Sequence, residues 1–101
     1  GYPYIVKTPG VMSGEARLDG HRIRVRDIVA MRDFHGHTPE QILEIDYPHL
    51  TLAKIYAALT YAEDHKAELE QYAREEAEFI ERFKRENPDL IGADLSDEPV
   101  E

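Results

Sequence analysis

Two capped helix starts constrain this chain more than any other feature of its sequence. In Thr38-Pro39-Glu40-Gln41 a threonine stands at the N-cap, a proline at the first helical position and a glutamine at the third, so that the two polar side chains satisfy unpaired backbone amides. Pro48 disfavours a helical conformation at Tyr47, and Thr51 is a second N-cap. The pattern predicts a short helix that ends by residues 46–47, a turn, and a longer helix with the inward stripe Leu52, Ile55, Leu59 and Ala62.

An earlier helix is indicated between Val25 and Phe34. Its apolar residues recur at helical spacing, and Gly36 supplies the stop. This order of helices fits a helix-turn-helix, whose last helix would lie in the major groove of DNA. It fits any small helical domain equally well, and the pattern alone leaves both interpretations open.

The N-terminal segment has β-strand character. Tyr4-Ile5-Val6 predicts an edge strand that stops at the turn Thr8-Pro9-Gly10. Asp19-Gly20 lies between two alternating runs, residues 16–18 and 21–25, and therefore predicts a tight hairpin. In that hairpin Leu18, Ile23 and Val25 share one face, and the arginines project mainly from the other.

A long amphipathic helix is predicted from about residues 63–65 to Asn87, where Pro88 stops it. At 1.5 Å per residue it is about 30 Å long, more than a small three-helix core can cover. Its apolar face needs a second surface, which is either a partner protein or its own domain or dimer mate. That face consists of Leu69, Tyr72, Ala73, Phe79, Ile80 and Phe83. Residues 89–101 form an acidic tail of the kind that orders on binding.

The net charge of −9 is unevenly distributed. Residues 1–62 hold seven basic and seven acidic side chains, whereas residues 63–101 hold five basic and fourteen acidic ones. All of the acidic surplus therefore belongs to the C-terminal part. Such asymmetry is expected when one end of a chain faces a polyanion and the other a basic partner, and it is also expected of a solvated surface.

Several classes of protein are disfavoured. The chain has no cysteine, no stretch approaching about 20 apolar residues and no signal-peptide layout, so we expect a soluble cytoplasmic protein. His35 and His37 near Asp33 are ligand-type residues, but a zinc site needs three or four converging ligands. Nucleophile elbows, Gly-rich phosphate loops and cysteine–histidine pairs are missing from the sequence. We therefore expect a protein that is not an enzyme and has no metal or cofactor.

Five sequence runs carry a family resemblance: residues 20–25, 27–29, 36–43, 46–51 and 57–62. In order and spacing they resemble the domain of unknown function 433 family, over about residues 5–65. The turn Tyr47-Pro48-His49-Leu50-Thr51 is its most specific mark. The resemblance implies a homeodomain-like fold with an N-terminal strand used in dimerisation. It also implies an antitoxin of a type II toxin-antitoxin pair, encoded beside a PIN-like ribonuclease toxin.

The chain departs from the family pattern at two places. His21 and Arg24 stand where the family usually has threonine and proline, which adds charge that favours contact with phosphate. Early in the third helix, where the family usually has charged residues, Lys54 is the only cation.

We therefore predict a mainly α protein. A short N-terminal β strand and hairpin precede a three-helix, homeodomain-like helix-turn-helix, and a long C-terminal amphipathic helix and acidic tail follow. Residues 1–64 are the dimerising DNA-binding domain, and residues 65–101 are the toxin-binding arm. The alternatives are a stand-alone DNA-binding transcription regulator and a protein-interaction module without a toxin partner.

The candidate DNA-binding residues are a basic group in the N-terminal part and the outward side of the third helix. Duplicated in a homodimer, the basic group would present about ten cations to operator phosphates, unless its arginines pair with Glu15, Asp19, Asp27 and Asp33 on a solvated face. The set is Lys7, Arg17, Arg22, Arg24, Arg26, Thr51, Lys54, Tyr56 and Thr60.

The candidate toxin-binding residues lie on the C-terminal helix, where aromatic side chains make effective anchors. They are Leu69, Tyr72, Phe79, Ile80, Arg82, Phe83, Lys84 and Arg85. Inhibition has two possible routes. Carboxylates mimic RNA phosphates on a basic surface (Glu75, Glu76, Glu78, Glu81, Asp94, Asp97 and Glu98), or one of the basic residues Arg82, Lys84 and Arg85 enters the acidic metal centre of the toxin.

Overall fold

The computed structural model describes residues 1–90; most of the predicted tail, residues 91–101, lies outside the described residues. The chain divides into two units, Gly1–Leu69 and Glu70–Glu101. The predicted domain boundary, between residues 64 and 65, falls a few residues earlier than this division. Each unit is described by itself below.

The protein is mainly α, as predicted. The helices are α1 (Val25–Asp33), α2 (Pro39–Gln41), α3 (Leu52–Asp64) and α4 (Lys66–Glu86), and a π-helical turn, Ile42–Asp46, continues α2. The short second helix thus ends at the predicted position. Tyr47 leaves the helical conformation with φ −138° and ψ 65°, because the following Pro48 disfavours it.

Both predicted helix starts are capped as expected. At α2 the Gln41 amide donates to Thr38 Oγ1 at 3.2 Å, and the Thr38 amide donates to Gln41 Oε1 at 2.9 Å. At α3 the Lys54 amide donates to Thr51 Oγ1 at 3.2 Å. Because each bond satisfies an amide that has no partner inside its helix, these two threonines determine where the helices begin.

The helix stop at Gly36 is also confirmed. Gly36 has φ 69°, a left-handed conformation that glycine adopts without a Cβ clash. Its amide donates to the Arg32 carbonyl at 3.0 Å, and the His37 amide donates to the Met31 carbonyl at 3.1 Å. These bonds satisfy carbonyls of the last turn of α1 and turn the chain towards α2.

The predicted hairpin forms, but it is shorter than expected. The Leu18 amide donates to the Ile23 carbonyl and the Val25 amide donates to the Ala16 carbonyl, both at 2.9 Å. A ladder forms between β1 (Ile5–Val6) and β2 (Arg17–Leu18), which are antiparallel with Ile5 opposite Leu18. Beyond the Asp19-Gly20 turn the chain makes only a single bridge, between Arg17 and Arg24. It cannot extend as a strand because Arg24 is already the N-cap of α1, where its amide donates to Asp27 Oδ2 at 2.9 Å.

The core of the first unit collects residues from β2, α1, the π-helical turn and α3. Leu18, Val25, Ile28, Ile42 and Ile55 are the largest side chains that are almost completely buried. Ala58, Leu59, Tyr61 and Ala62 continue the buried side of α3. The predicted inward stripe of α3 is therefore confirmed, except that Leu52 is only half-buried.

The first turn of α4 belongs to the first unit. Its Glu68 accepts a hydrogen bond from the Tyr61 hydroxyl at 2.7 Å and pairs with Lys7 at 3.0 Å, and Leu69 is half-buried against the core. None of the 21 residues of α4 is fully buried. Within residues 1–90, none of the helices combines the length and apolar character that crossing a bilayer requires.

Truncation of the core should be costly. Ile55 is fully buried, so Ile55→Ala should lower the free energy of unfolding by about 2–5 kcal/mol, through lost apolar burial and the cavity left behind. Chemical denaturation measures the change. Ile45 is 57% exposed, and Ile45→Ala should cost less than about 1 kcal/mol. Equal losses for the two variants would contradict this assignment of the core.

Candidate functional site

Two of the predicted DNA-binding arginines are engaged with carboxylates inside the first unit. Arg26 donates two bonds to Glu15, at 2.9 and 2.8 Å. Arg24 donates to both oxygens of Asp27, at 3.2 and 2.9 Å, and lies 3.8 Å from Glu15. The Glu15 side chain is only 10% exposed. These two arginines therefore form ion pairs within the chain, with Glu15 and Asp27 as partners, which was the alternative to contact with DNA phosphates.

The remaining members of the basic group are separated. Arg17 donates to the His21 carbonyl and to the Thr8 hydroxyl, both at 3.1 Å, and Lys7 pairs with Glu68. Arg22 is exposed, and among residues 1–90 no carboxylate lies within ion-pair distance of it. The predicted concentration of cations is therefore not assembled, because hydrogen bonds within the unit orient most of these side chains.

The exposed face of α3 carries little positive charge. Tyr56 and Thr60 are exposed with Ala53 at helical spacing, and the Tyr56 hydroxyl donates to Glu40 Oε2 at 3.3 Å. The negative charge of Glu40 raises the pKa of Tyr56 above its ordinary value. Thr51 is used as the N-cap. Helix α3, the predicted DNA-recognition helix, thus presents hydroxyl groups, with Lys54 as its only cation.

Lys54 belongs to a group of three side chains that carry or can acquire positive charge, which we name the imidazole–lysine cluster: His21, His49 and Lys54. Lys54 Nζ lies 3.3 Å from His21 Nε2, and the two imidazole centroids are 5.7 Å apart. Burial, Lys54 and His49, in that order, lower the pKa of His21, and Asp19 opposes them. Sequence reasoning missed His49, because only the fold brings the turn before α3 next to the Asp19-Gly20 turn.

The second unit contains an exposed apolar surface on α4, which we name the α4 stripe: Phe79, Ile80 and Phe83. These side chains are 56%, 42% and 40% exposed. The two phenyl centroids are 6.3 Å apart, and the Arg82 guanidinium lies 5.8 Å from the Phe79 ring. Among the other predicted toxin-binding residues, Lys84 and Arg85 are exposed and Tyr72 is half-buried. Leu69 differs from the prediction, because it packs against the core of the first unit.

The histidine-rich segment after α1 does not gather ligand-type residues around one point. His35 and His37 have ring centroids 5.6 Å apart, but His37 Nδ1 lies 2.8 Å from Asp46, and Asp33 pairs with Arg32 at 2.9 Å. In the part of the chain that the structure describes, no group of three or more histidine, aspartate and glutamate side chains is arranged so that it could hold a metal ion. The His37–Asp46 contact instead joins the end of α1 to the end of the π-helical turn.

These features define a class of protein: a small, mainly helical unit with a two-stranded ladder, followed by an exposed amphipathic helix. The sequence profile of the family described as Protein of unknown function (DUF433) matches residues 5–62. This chain belongs to the DUF433 family.

A solved structure supports the assignment. A DUF433 member protein from Anabaena variabilis, known from a crystal structure, shares 35% sequence identity with this chain, and the two structures superpose with a TM-score of 0.60. The similarity covers 68% of this chain and 66% of that protein, slightly less than two thirds of its length. No curated protein matches the chain. The α4 stripe lies beyond residue 62, outside the region that the family profile matches.

Glu15 should be important for stability because two arginines depend on it. Glu15→Gln should lower the free energy of unfolding by about 2–3 kcal/mol, since it leaves partly buried guanidinium groups without their full counter-charge. Glu63 pairs with Arg32 and Lys66 at the surface, so Glu63→Gln should cost under about 1 kcal/mol. Chemical denaturation of both variants measures the difference. An unchanged free energy of unfolding in Glu15→Gln would contradict the proposed role.

The imidazole–lysine cluster predicts a titration effect. Removing the nearby positive charge in Lys54→Gln should raise the pKa of His21 towards its ordinary value of 6.5, measured by NMR of the imidazole resonances. Because the pKa of His21 is lowered on folding, its stabilising contribution is present above pH 6.5 and lost as the pH falls below it. Lys66→Gln is the control, and an equal change of the His21 pKa in both variants would refute the coupling.

Proposed function

We propose that this protein is the antitoxin of a type II toxin-antitoxin pair, which binds and neutralises a PIN-like ribonuclease through the C-terminal part of the chain. The observation that carries the proposal is the α4 stripe, in which three large apolar side chains are exposed together on one helix. The resemblance to the DUF433 family supplies the expected kind of partner. The toxin is expected from the adjacent gene.

The α4 stripe has the properties of a helix that docks in a groove. Phe79 and Phe83 are one helical turn apart, and Ile80 extends the same apolar face. Exposure of such side chains to water is unfavourable by about 1.5–3 kcal/mol each relative to full burial, which is the free energy that a partner's groove would provide. Aromatic side chains are also frequent anchors of protein interfaces.

The charge of the second unit supports a basic partner. Glu75, Glu78 and Glu81 are exposed on α4, and an RNA-binding surface is expected to be basic because it must attract phosphates. In one route of inhibition, these carboxylates occupy the RNA-binding site of the toxin. In the other route, Arg82, Lys84 or Arg85 reaches the acidic metal centre of the toxin and displaces its cation. Asp94, Asp97 and Glu98 lie outside the described residues.

The proposal includes a second activity, repression of the protein's own operon by a dimer that uses α2, the turn at residues 47–50 and α3 as a helix-turn-helix. What supports it is the exposed side of α3, where the side chains of Tyr56 and Thr60 face solvent and could approach a DNA groove. The shortage of cations on that face favours weak rather than tight operator binding. A stand-alone DNA-binding regulator and an interaction module without a toxin are the competing functions.

The toxin-binding proposal is tested with the full chain and the product of the adjacent gene. The wild-type chain should co-purify with that protein and suppress its ribonuclease activity. Phe79→Ala with Phe83→Ala should raise the Kd at least about 30-fold, which corresponds to the loss of one or more anchors. Phe34→Ala is the matched control, since Phe34 is 83% exposed but belongs to the first unit.

Three results would decide against the proposal. They are failure of the wild-type chain to bind the adjacent gene product, binding without suppression of its activity, and equal weakening by the double variant and Phe34→Ala. Gel-shift titration with the upstream region of the operon tests repression separately, and Thr60→Glu should abolish a shift that wild type produces.

A further inference from the structure

The imidazole–lysine cluster differs from every other concentration of basic side chains in the first unit. Its members come from three segments: His21 follows the Asp19-Gly20 turn, His49 lies in the turn before α3, and Lys54 lies in the first turn of α3. His49 is exposed, whereas His21 and Lys54 are half-buried. The cluster is therefore rigidly supported on one side and open to solvent on the other.

The charge of the cluster is not neutralised within the described chain. Arg24 and Arg26 share Glu15, and Lys7 pairs with Glu68. By contrast, none of the three cluster members makes an ion pair with a carboxylate of residues 1–90.

Three neighbouring side chains, Asp19, His49 and Lys54, act on the pKa of His21. Asp19 is the only acid that acts on its pKa, and its influence is the smallest; Lys54 and His49 act in the opposite direction. Arg17 donates to the His21 carbonyl. The surroundings are thus predominantly positive, which is the condition in which an anion binds and relieves repulsion.

We infer that the imidazole–lysine cluster binds a phosphate group, either the phosphodiester of a nucleic acid backbone or a free phosphate. Lys54 and His49 offer N–H donors to the oxygens of phosphate. His21 Nε2 accepts from the Lys54 ammonium group at 3.3 Å, and it becomes a donor when His21 is protonated. The beginning of α3 adds the favourable end of its helix dipole, since Lys54 is the third residue of that helix. The phosphodiester form rests on the DNA-binding half of the proposed function, whereas the free-phosphate form is independent of it.

Phosphate binding must be linked to protonation. A bound anion favours the charged form of His21, so the affinity for a phosphodiester, whose own charge does not change in this range, should increase as the pH falls through the titration range of His21. A metal ion bridging the two imidazoles is disfavoured by Lys54, whose Nζ is 3.3 Å from His21 Nε2; the experiment is done with a chelator present to exclude it.

The test uses NMR of the full-length protein, with inorganic phosphate in one series and a short DNA duplex lacking the operon's sequence in the other. The imidazole signals of His21 and His49 should shift in a saturable way, and the pKa of His21 should rise. The signals of His35 should stay unchanged, because its ring stacks near His37 and not in the cluster. His21→Gln with Lys54→Gln should weaken phosphate binding at least about tenfold, as expected for loss of charge-assisted hydrogen bonds.

His35→Gln is the matched control and should bind phosphate like wild type. The unperturbed His35 signals of the double variant show that it remains folded. A response to both ligands supports a phosphodiester site. A response to inorganic phosphate alone supports the site and contradicts the DNA-binding half of the proposed function. Duplex binding that leaves His21 and His49 unshifted, or no response to either ligand, overturns the inference.

Discussion

The rest of the first unit depends on the ion pairs that the carboxylate of Glu15 makes with Arg24 and Arg26. These ion pairs join the segment before β2 to the first turn of α1, and with the Arg24–Asp27 pair they determine where the helix begins. Since Glu15 is only 7% exposed, this charge is stable only because its partners satisfy it. The same ion pairs remove two arginines from the surface that a basic binding site would need.

The proposed binding surfaces consist of side chains that are not used in ion pairs or in the core of the described residues. In the first unit, the imidazole–lysine cluster makes no ion pair with a carboxylate of residues 1–90, and it lies beside a face of α3 that carries hydroxyl groups. In the second unit, the notable property is the exposure of Phe79 and Phe83 on a helix rich in glutamate. The two surfaces differ in chemistry, so one suits a phosphate group and the other an apolar groove in a basic protein.

The family assignment and the proposed toxin-binding surface concern different parts of the chain. The DUF433 profile ends at residue 62, close to the end of α3, whereas the α4 stripe belongs to the following unit. The proposed recognition of a partner through α4 therefore concerns a segment that the family profile does not match. The first unit has the opposite character, because its core and caps lie inside the matched region.

The sequence was enough to predict the local structure, because Thr38 and Thr51 cap their helices through their hydroxyl groups. Gly36 and Pro48 act through the conformation of the adjacent backbone. The sequence also predicted the length of α4 and the apolar residues on it. Only the tertiary structure decided that β2 pairs with β1, that Glu15 neutralises Arg26, and that His21 meets His49 and Lys54. These contacts join residues that are distant in the chain, and hydrophobic periodicity and capping patterns carry no information about which distant charges meet.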